Sequence, residues 1–285
     1  MAEDVGNLFV FGLGYSAAAL TRRLVAQGWQ VAGTTRGGGW ARVTAAGAQP
    51  VIWPGGDLAA LAGASHLLIS TAPDADGCPV LADPVARVAI AAAPLRWVGY
   101  LSSTNVYGDH GGGWVDEATP PAPATARGRQ RVLAERQWQA TGLPVHIFRL
   151  AGIYGPGRGP FAKVLAGTAR RIVKPGQVFS RIHVADIATV LAASMARPDP
   201  GAVYNLCDDE PAPPEDVIAE AARMLGLPIP AAEDYATAEQ SPMARSFYAE
   251  SKRVRNDRIK RELGVRLAYP DYRAGLAAVL AAERG

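Results

Sequence analysis

Leu8-Phe9-Val10-Phe11-Gly12-Leu13-Gly14-Tyr15-Ser16-Ala17-Ala18-Ala19-Leu20 decides the reading of this chain. Four apolar, β-favouring residues run straight into a glycine turn. Ala18, Leu20, Leu24 and Val25 then recur at helical spacing. The pattern is strand, turn, helix. Gly12 supplies backbone angles that a Cβ forbids. Gly14 lets the main chain approach a pyrophosphate, and Ala17 stands where the dinucleotide fingerprint accepts alanine in its third position. Amides at the helix start face phosphates with the positive end of the helix dipole. A glycine pattern alone is an ordinary tight turn. The strand before it and the helix after it are the context the motif demands. Gly12, Leu13, Gly14, Tyr15 and Ser16 are therefore the candidate phosphate-binding residues.

The next strand, Trp29–Arg36, ends where an NAD site usually carries Asp or Glu for the ribose hydroxyls. Arg36 stands there with no acid nearby. Its planar fork suits a 2′-phosphate, so NADP is expected over NAD, with NAD still possible; the alternative is a solvated loop residue. Pro50–Trp53 reads as a third strand. Asp57 and Leu58 after it either flank the adenine or begin a helix, with Asp57 as its cap. His66–Ala72 is a fourth strand, placing Thr71, Ala72 and Pro73 above the cofactor. A helix over Val80–Ala93 and a fifth strand over Arg96–Ser103 follow.

Strands and helices alternating at this interval predict right-handed βαβ units on a parallel sheet. The expected fold is α/β, a Rossmann-type doubly wound parallel sheet with a smaller C-terminal substrate-binding lobe. Ligands of such sheets sit beyond the carboxyl ends of the strands, which puts Gly12, Arg36, Ala72 and Ser103 on one rim.

Asp109–Pro123 reads as a loop, Ala126–Ala140 as a helix and Pro144–Leu150 as a sixth strand; beyond Leu150 the alternation lapses. Later segments read as an extended Arg181–Val184, a helix over Ala185–Ala196 and a strand over Val203–Leu206. Helices are expected over Glu215–Leu225, Lys252–Leu263 and Tyr272–Glu283. Residues 1–150, with 183–206 returning to them, are expected to form the nucleotide-binding domain. Residues 151–182 and 207–285 are expected to form the substrate lobe.

The 285 residues are 49% hydrophobic, and the net charge of +3 comes from basic residues that are spread rather than massed. That argues against nucleic acid as a partner. There is no signal-peptide pattern and no apolar run near the length of a membrane span, so a soluble, cytoplasmic protein with no membrane partner is expected. Cys78 and Cys207 are too few for a disulfide framework and lack metal spacing, so no metal is expected. His110-Gly111-Gly112-Gly113 is like an esterase oxyanion loop, but Gly-x-Ser-x-Gly is missing and a hydrolase is rejected.

Four ordered motifs carry a family resemblance. They are Ser102-Ser103-Thr104-Asn105-Val106-Tyr107-Gly108, Arg149-Leu150-Ala151-Gly152-Ile153-Tyr154-Gly155-Pro156, Ile182-His183-Val184-Ala185-Asp186 and Val203-Tyr204-Asn205-Leu206. The chain resembles the extended short-chain dehydrogenases/reductases, the NAD-dependent epimerase/dehydratase group. The resemblance implies a nicotinamide nucleotide site and, in a typical member, a nucleotide-sugar substrate. It also implies pairing into a homodimer through helices at about Val80–Ala93 and Ala126–Ala140.

The family's chemistry rests on a Ser or Thr that positions a hydroxyl, a Tyr that takes its proton, and a Lys four residues later that lowers the phenol's pKa and holds ribose. Ser103 matches the first. Eight and four residues before Glu135, where the family has Tyr and Lys, stand Arg127 and Arg131. Arg127 is no proton acceptor, because a guanidinium stays charged; Arg131 can still hold ribose or phosphate. Tyr107 is a substitute acid/base candidate. The resemblance also brings Thr104, Asn105, Arg181, His183 and Arg253 to the substrate. His183 is either a cleft residue or a hydrogen-bonded core histidine.

Two functions remain open. One is an NADP-preferring oxidoreductase or epimerase acting on a nucleotide sugar or similar hydroxyl or carbonyl compound. The other is a non-catalytic NADP(H)-binding sensor.

Overall fold

The computed structural model describes residues 5–240, 245 and 247–284. In chain order the nucleotide-binding half runs β1 (Asn7–Phe11), α1 (Tyr15–Val25), β2 (Gln30–Thr35), α2 (Trp40–Ala45), β3 (Gln49–Ile52), β4 (His66–Ile69), α3 (Pro79–Ala82), α4 (Pro84–Ala92) and β5 (Trp97–Ser103). Then come β6 (Trp114–Val115), α5 (Ala126–Gln139), β7 (Val145–Leu150), β8 (Gly152–Tyr154), α6 (Phe161–Leu165), β9 (Arg171–Val173), β10 (Arg181–His183), α7 (Val184–Ala196) and β11 (Val203–Leu206). The chain closes with α8 (Pro214–Leu225), β12 (Ala232–Asp234), β13 (Arg253–Val254) and two further helices, Asp257–Leu263 and Tyr272–Arg284.

Seven strands form one parallel sheet in the order β3-β2-β1-β4-β5-β7-β11. This is the Rossmann-type α/β arrangement that the alternating pattern predicts. Both faces are covered, which is why the strands read as continuous apolar runs. Along β1 the side chains alternate. Leu8 and Val10 pack with Leu20, Leu24, Ile187 and Leu191 on one face; Phe9 and Phe11 pack with Leu67, Ile69 and Trp138 on the other. The order turns outward in both directions from β1 and β4, so the crevice for a ligand opens at their carboxyl ends.

Late in the chain, β11 returns to the edge of the sheet beside β7. A separate cluster of buried residues, including Tyr154, Phe161, Val217, Ala221, Leu276 and Val279, holds α6, α8 and the final helix together.

Two predicted helices are corrected. The one over Val80–Ala93 is broken at Asp83, whose carboxylate accepts from the amides of Val85 and Ala86 and caps a new helix with Pro84 in its first position. The one over Lys252–Leu263 begins only at Asp257. Arg253–Val254 is instead a strand paired with β6, inside the stretch read as a loop. Among the described residues no helix is long and apolar enough to cross a membrane.

Candidate active site

Gly12 ends β1 with φ +81°, and a Cβ there would lie 3.0 Å from Thr71 Cγ2 and 3.1 Å from the Thr71 amide nitrogen. Its own amide donates to Thr34 Oγ1 at 2.8 Å. The turn is thereby locked between β2 and the end of β4. Gly14 differs: the nearest atom to a Cβ there is the Gly12 carbonyl oxygen at 3.9 Å, so the protein's own packing leaves that space open. Gly14 is also the N-cap of α1. It offers no side chain to the first-turn amides, and no acid occupies that turn. The buried Thr71 hydroxyl beside the turn has no hydrogen-bond partner among the described residues. An open cradle, uncapped amides and an orphaned hydroxyl fit a bound diphosphate.

Ala72 and Pro73 follow Thr71 past the end of β4. Arg36 lies exposed just past β2, and no described carboxylate pairs with it. Asp57 and Leu58 follow β3. The Asp57 carboxylate accepts from the Ala59 amide at 2.9 Å just ahead of a short 3-10 turn, and Leu58, 6% exposed, packs in the core with Phe9 and Phe11.

Next to this turn lies a cleft of about 870 Å³. Ser103, Thr104, Asn105, Arg127, Arg131 and Arg181 all line it. Ser103 ends β5, and its Oγ accepts from the Asn105 amide at 3.2 Å. Arg131 donates to the Leu101 carbonyl at 2.7 Å and to the Tyr100 hydroxyl at 3.4 Å. Arg127 lies one turn earlier on α5. Arg181 donates to the carbonyls of Phe179 and Ala212, each at 2.9 Å.

Turn and cleft are tied together by Tyr15. Its hydroxyl donates to the Pro156 carbonyl at 2.9 Å, and its ring lies 5.7 Å beneath the guanidinium of Arg158, itself a cleft residue.

Three further expectations are corrected. Tyr107 is fully buried outside the cleft. Its hydroxyl donates to Asn205 Oδ1 at 2.7 Å and accepts from Arg149 at 3.0 Å, and burial pushes its pKa up to about 12. Arg149 in turn forks onto Glu135, so the tyrosine belongs to a buried structural network rather than to proton transfer. His183 does not line the cleft either. Its Nδ1 accepts from the Ala185 amide as the cap of α7, its ring lies 4.0 Å from that of Tyr269, and burial pushes its pKa down to about 4. Arg253 is held by the Gly112 carbonyl, away from the cleft.

Its neighbour Lys252 lines the cleft instead, joined to Glu250 at 2.7 Å and to the Gly108 carbonyl at 2.6 Å. The second carboxylate oxygen of Glu250 is buried without a partner among the described residues. The sequence reading missed Glu250, Lys252 and Arg158. The acid–base spacing of two, Glu250-Ser251-Lys252, was the available signal, since in extended backbone it places both side chains on one face.

Residues 83–207 match the model of the NAD dependent epimerase/dehydratase family. Over 283 residues the chain is 31% identical to Protein YeeZ of Escherichia coli (strain K12), covering 92% of this chain and 96% of YeeZ. The chain belongs to the NAD-dependent epimerase/dehydratase family.

A functionally unknown conserved protein from Silicibacter pomeroyi is 64% identical and superimposes with a TM-score of 0.94 over 98% of this chain and 99% of that one. dTDP-glucose 4,6-dehydratase from Bacillus anthracis, solved in complex with NAD, is 15% identical. It shares the fold, with a TM-score of 0.78 over 98% of this chain and 97% of that one. In this chain Ser103 ends β5, and Arg127 and Arg131 stand on α5 eight and four residues before Glu135.

Proposed function

We propose that this chain is an NADP(H)-dependent oxidoreductase or epimerase acting on a nucleotide sugar or a similar polar hydroxyl or carbonyl compound. The observation that carries this reading is the contact of Tyr15 with Pro156 and Arg158, which sets the glycine turn beside the cleft lined by Ser103. Gly12, Leu13, Gly14, Tyr15 and Ser16 grip the diphosphate, with Thr71, Ala72 and Pro73 over it. Arg36 reads the 2′-phosphate, which favours NADP.

Arg131 holds the nicotinamide ribose, Ser103 orients the substrate hydroxyl, Thr104 and Asn105 bind beside it, and Arg181 takes a diphosphate. The bound cofactor supplies or accepts hydride. The exposed Val85 and Val88 on α4 (64% and 71%) and Leu133 on α5 (38%) support pairing into a homodimer through those helices.

Arg127 and Arg131 favour a second reading, a protein that senses NADP(H) without turning it over, because fold alone does not fix function. One experiment separates the two. Purified protein is incubated with NADPH and a panel of sugar nucleotides and simple ketones, with reduced-cofactor absorbance and products both followed. Turnover that disappears in Ser103→Ala supports the enzyme. Tight NADPH binding with no product from any panel member supports the sensor.

A further inference from the structure

Five cationic side chains face the cleft, Arg127, Arg131, Arg158, Arg181 and Lys252, against one carboxylate, Glu250. Lys252 and Glu250 pair with each other, so the four guanidiniums have no ion-pair partner among the described residues. Three of them make other contacts. Arg181 is held by two carbonyls, Arg131 by the Leu101 carbonyl, and Arg158 lies over the Tyr15 ring. Arg127 has none of these.

It lies four residues before Arg131, on the same face of α5, and α5 enters the cleft wall at Thr125, Ala126 and Arg127. The same cleft holds Ser103, Thr104 and Asn105, where a reacting hydroxyl would sit. At the family's tyrosine position this chain therefore offers a permanent positive charge with a bidentate fork, a group that binds an oxyanion and exchanges no proton.

We infer that Arg127 reads an anionic group, carboxylate or phosphate, on the reacting unit of the substrate. The cleft then prefers an acidic sugar derivative to its neutral counterpart. The inference rests on the reading of this cleft as a substrate site.

The test is calorimetric titration of the wild-type protein, with and without saturating NADP+, using two matched pairs of probes. UDP-glucose against UDP-glucuronate isolates a carboxylate. Glucose 1-phosphate against glucose 1,6-bisphosphate isolates a phosphate. In at least one pair the member with the added acid group should bind about tenfold more tightly, the size of one charge-assisted contact. Arg127→Gln should abolish that preference at an unchanged melting temperature, and Arg127→Lys should keep part of it. Equal affinities within both pairs, no binding of any probe, or a preference that survives Arg127→Gln undiminished overturns the inference. A failure to bind NADP+ strikes the cofactor reading instead, and the comparison on cofactor-free protein still decides this one.

Discussion

Gly12 and Gly14 are two residues apart, and each is glycine for a different reason. At Gly12 the positive φ and the crowding by Thr71 forbid a side chain for the protein's own sake. At Gly14, with φ −97°, an added methyl meets only the Gly12 carbonyl oxygen, at an ordinary 3.9 Å, and otherwise fills the space proposed for the diphosphate. Gly14→Ala should therefore melt within about 1 °C of wild type and lose dinucleotide binding, whereas Gly12→Ala should lose both stability and binding. Thermal melts alongside calorimetry check the pair.

The turn and Ser103 were legible because their signals are local. Tyr107 was misjudged because its partner Asn205 lies 98 positions away, and sequence spacing says nothing about such a contact. Tyr107→Phe should cost about 1–3 kcal/mol in urea denaturation, since it strips a buried bond from Asn205 and Arg149. It should leave NADPH affinity unchanged; a loss of cofactor binding would contradict its purely structural place.

At the scale of elements, the stretch from Glu250 shows how the wrong period hides a site. With a helix read from Lys252 onward, Glu250 falls outside the element and nothing joins the two; in the extended chain leading into β13 they share a face and pair. The decisive fact is the pairing of Arg253–Val254 with Trp114–Val115, a two-residue strand inside a Gly- and Pro-rich loop that has no periodicity to detect. The short strands β8, β9, β10 and β12 of the C-terminal lobe, three residues each, escape for the same reason, although β10 was expected as an extended piece. Lys252→Met leaves the Glu250 charge buried without its partner and should cost about 3–5 kcal/mol in chemical denaturation. Adding Glu250→Gln should restore part of that loss. A double variant no more stable than the single one would show that the pair is not coupled.

For the whole molecule, the alternation of strand and helix was enough to predict the sheet and the rim at its carboxyl ends. The return of β11 to the edge was legible only through the family's Tyr-Asn strand, because nothing local ties Val203–Leu206 to β7. Global stability carries a further signature. Burial, against a weaker opposing pull from Arg181, pushes Asp208 up to about 8. The unfolded chain ionises this group near pH 4. Between about pH 4 and pH 8 the folded form thus keeps a proton that the unfolded form releases, and stability falls as pH rises through that window. His183, pushed down to about 4, works the other way, losing stability as pH falls from about 6.5 to about 4. Comparing Asp208→Asn with wild type at each pH isolates the aspartate. The variant's melting temperature should gain a few degrees on wild type between about pH 5 and pH 8, and a constant offset would contradict the assignment. The central claim is that the amino-terminal turn grips a nicotinamide dinucleotide with Arg36 choosing its 2′-phosphate. Calorimetric titration of wild type and Arg36→Asp with NADP+ and NAD+ tests it most directly. The account predicts one site per chain on wild type, tighter for NADP+, with Arg36→Asp losing far more NADP+ affinity than NAD+ affinity. No heat with either dinucleotide would contradict the grip, and equal losses for both would contradict the role of Arg36.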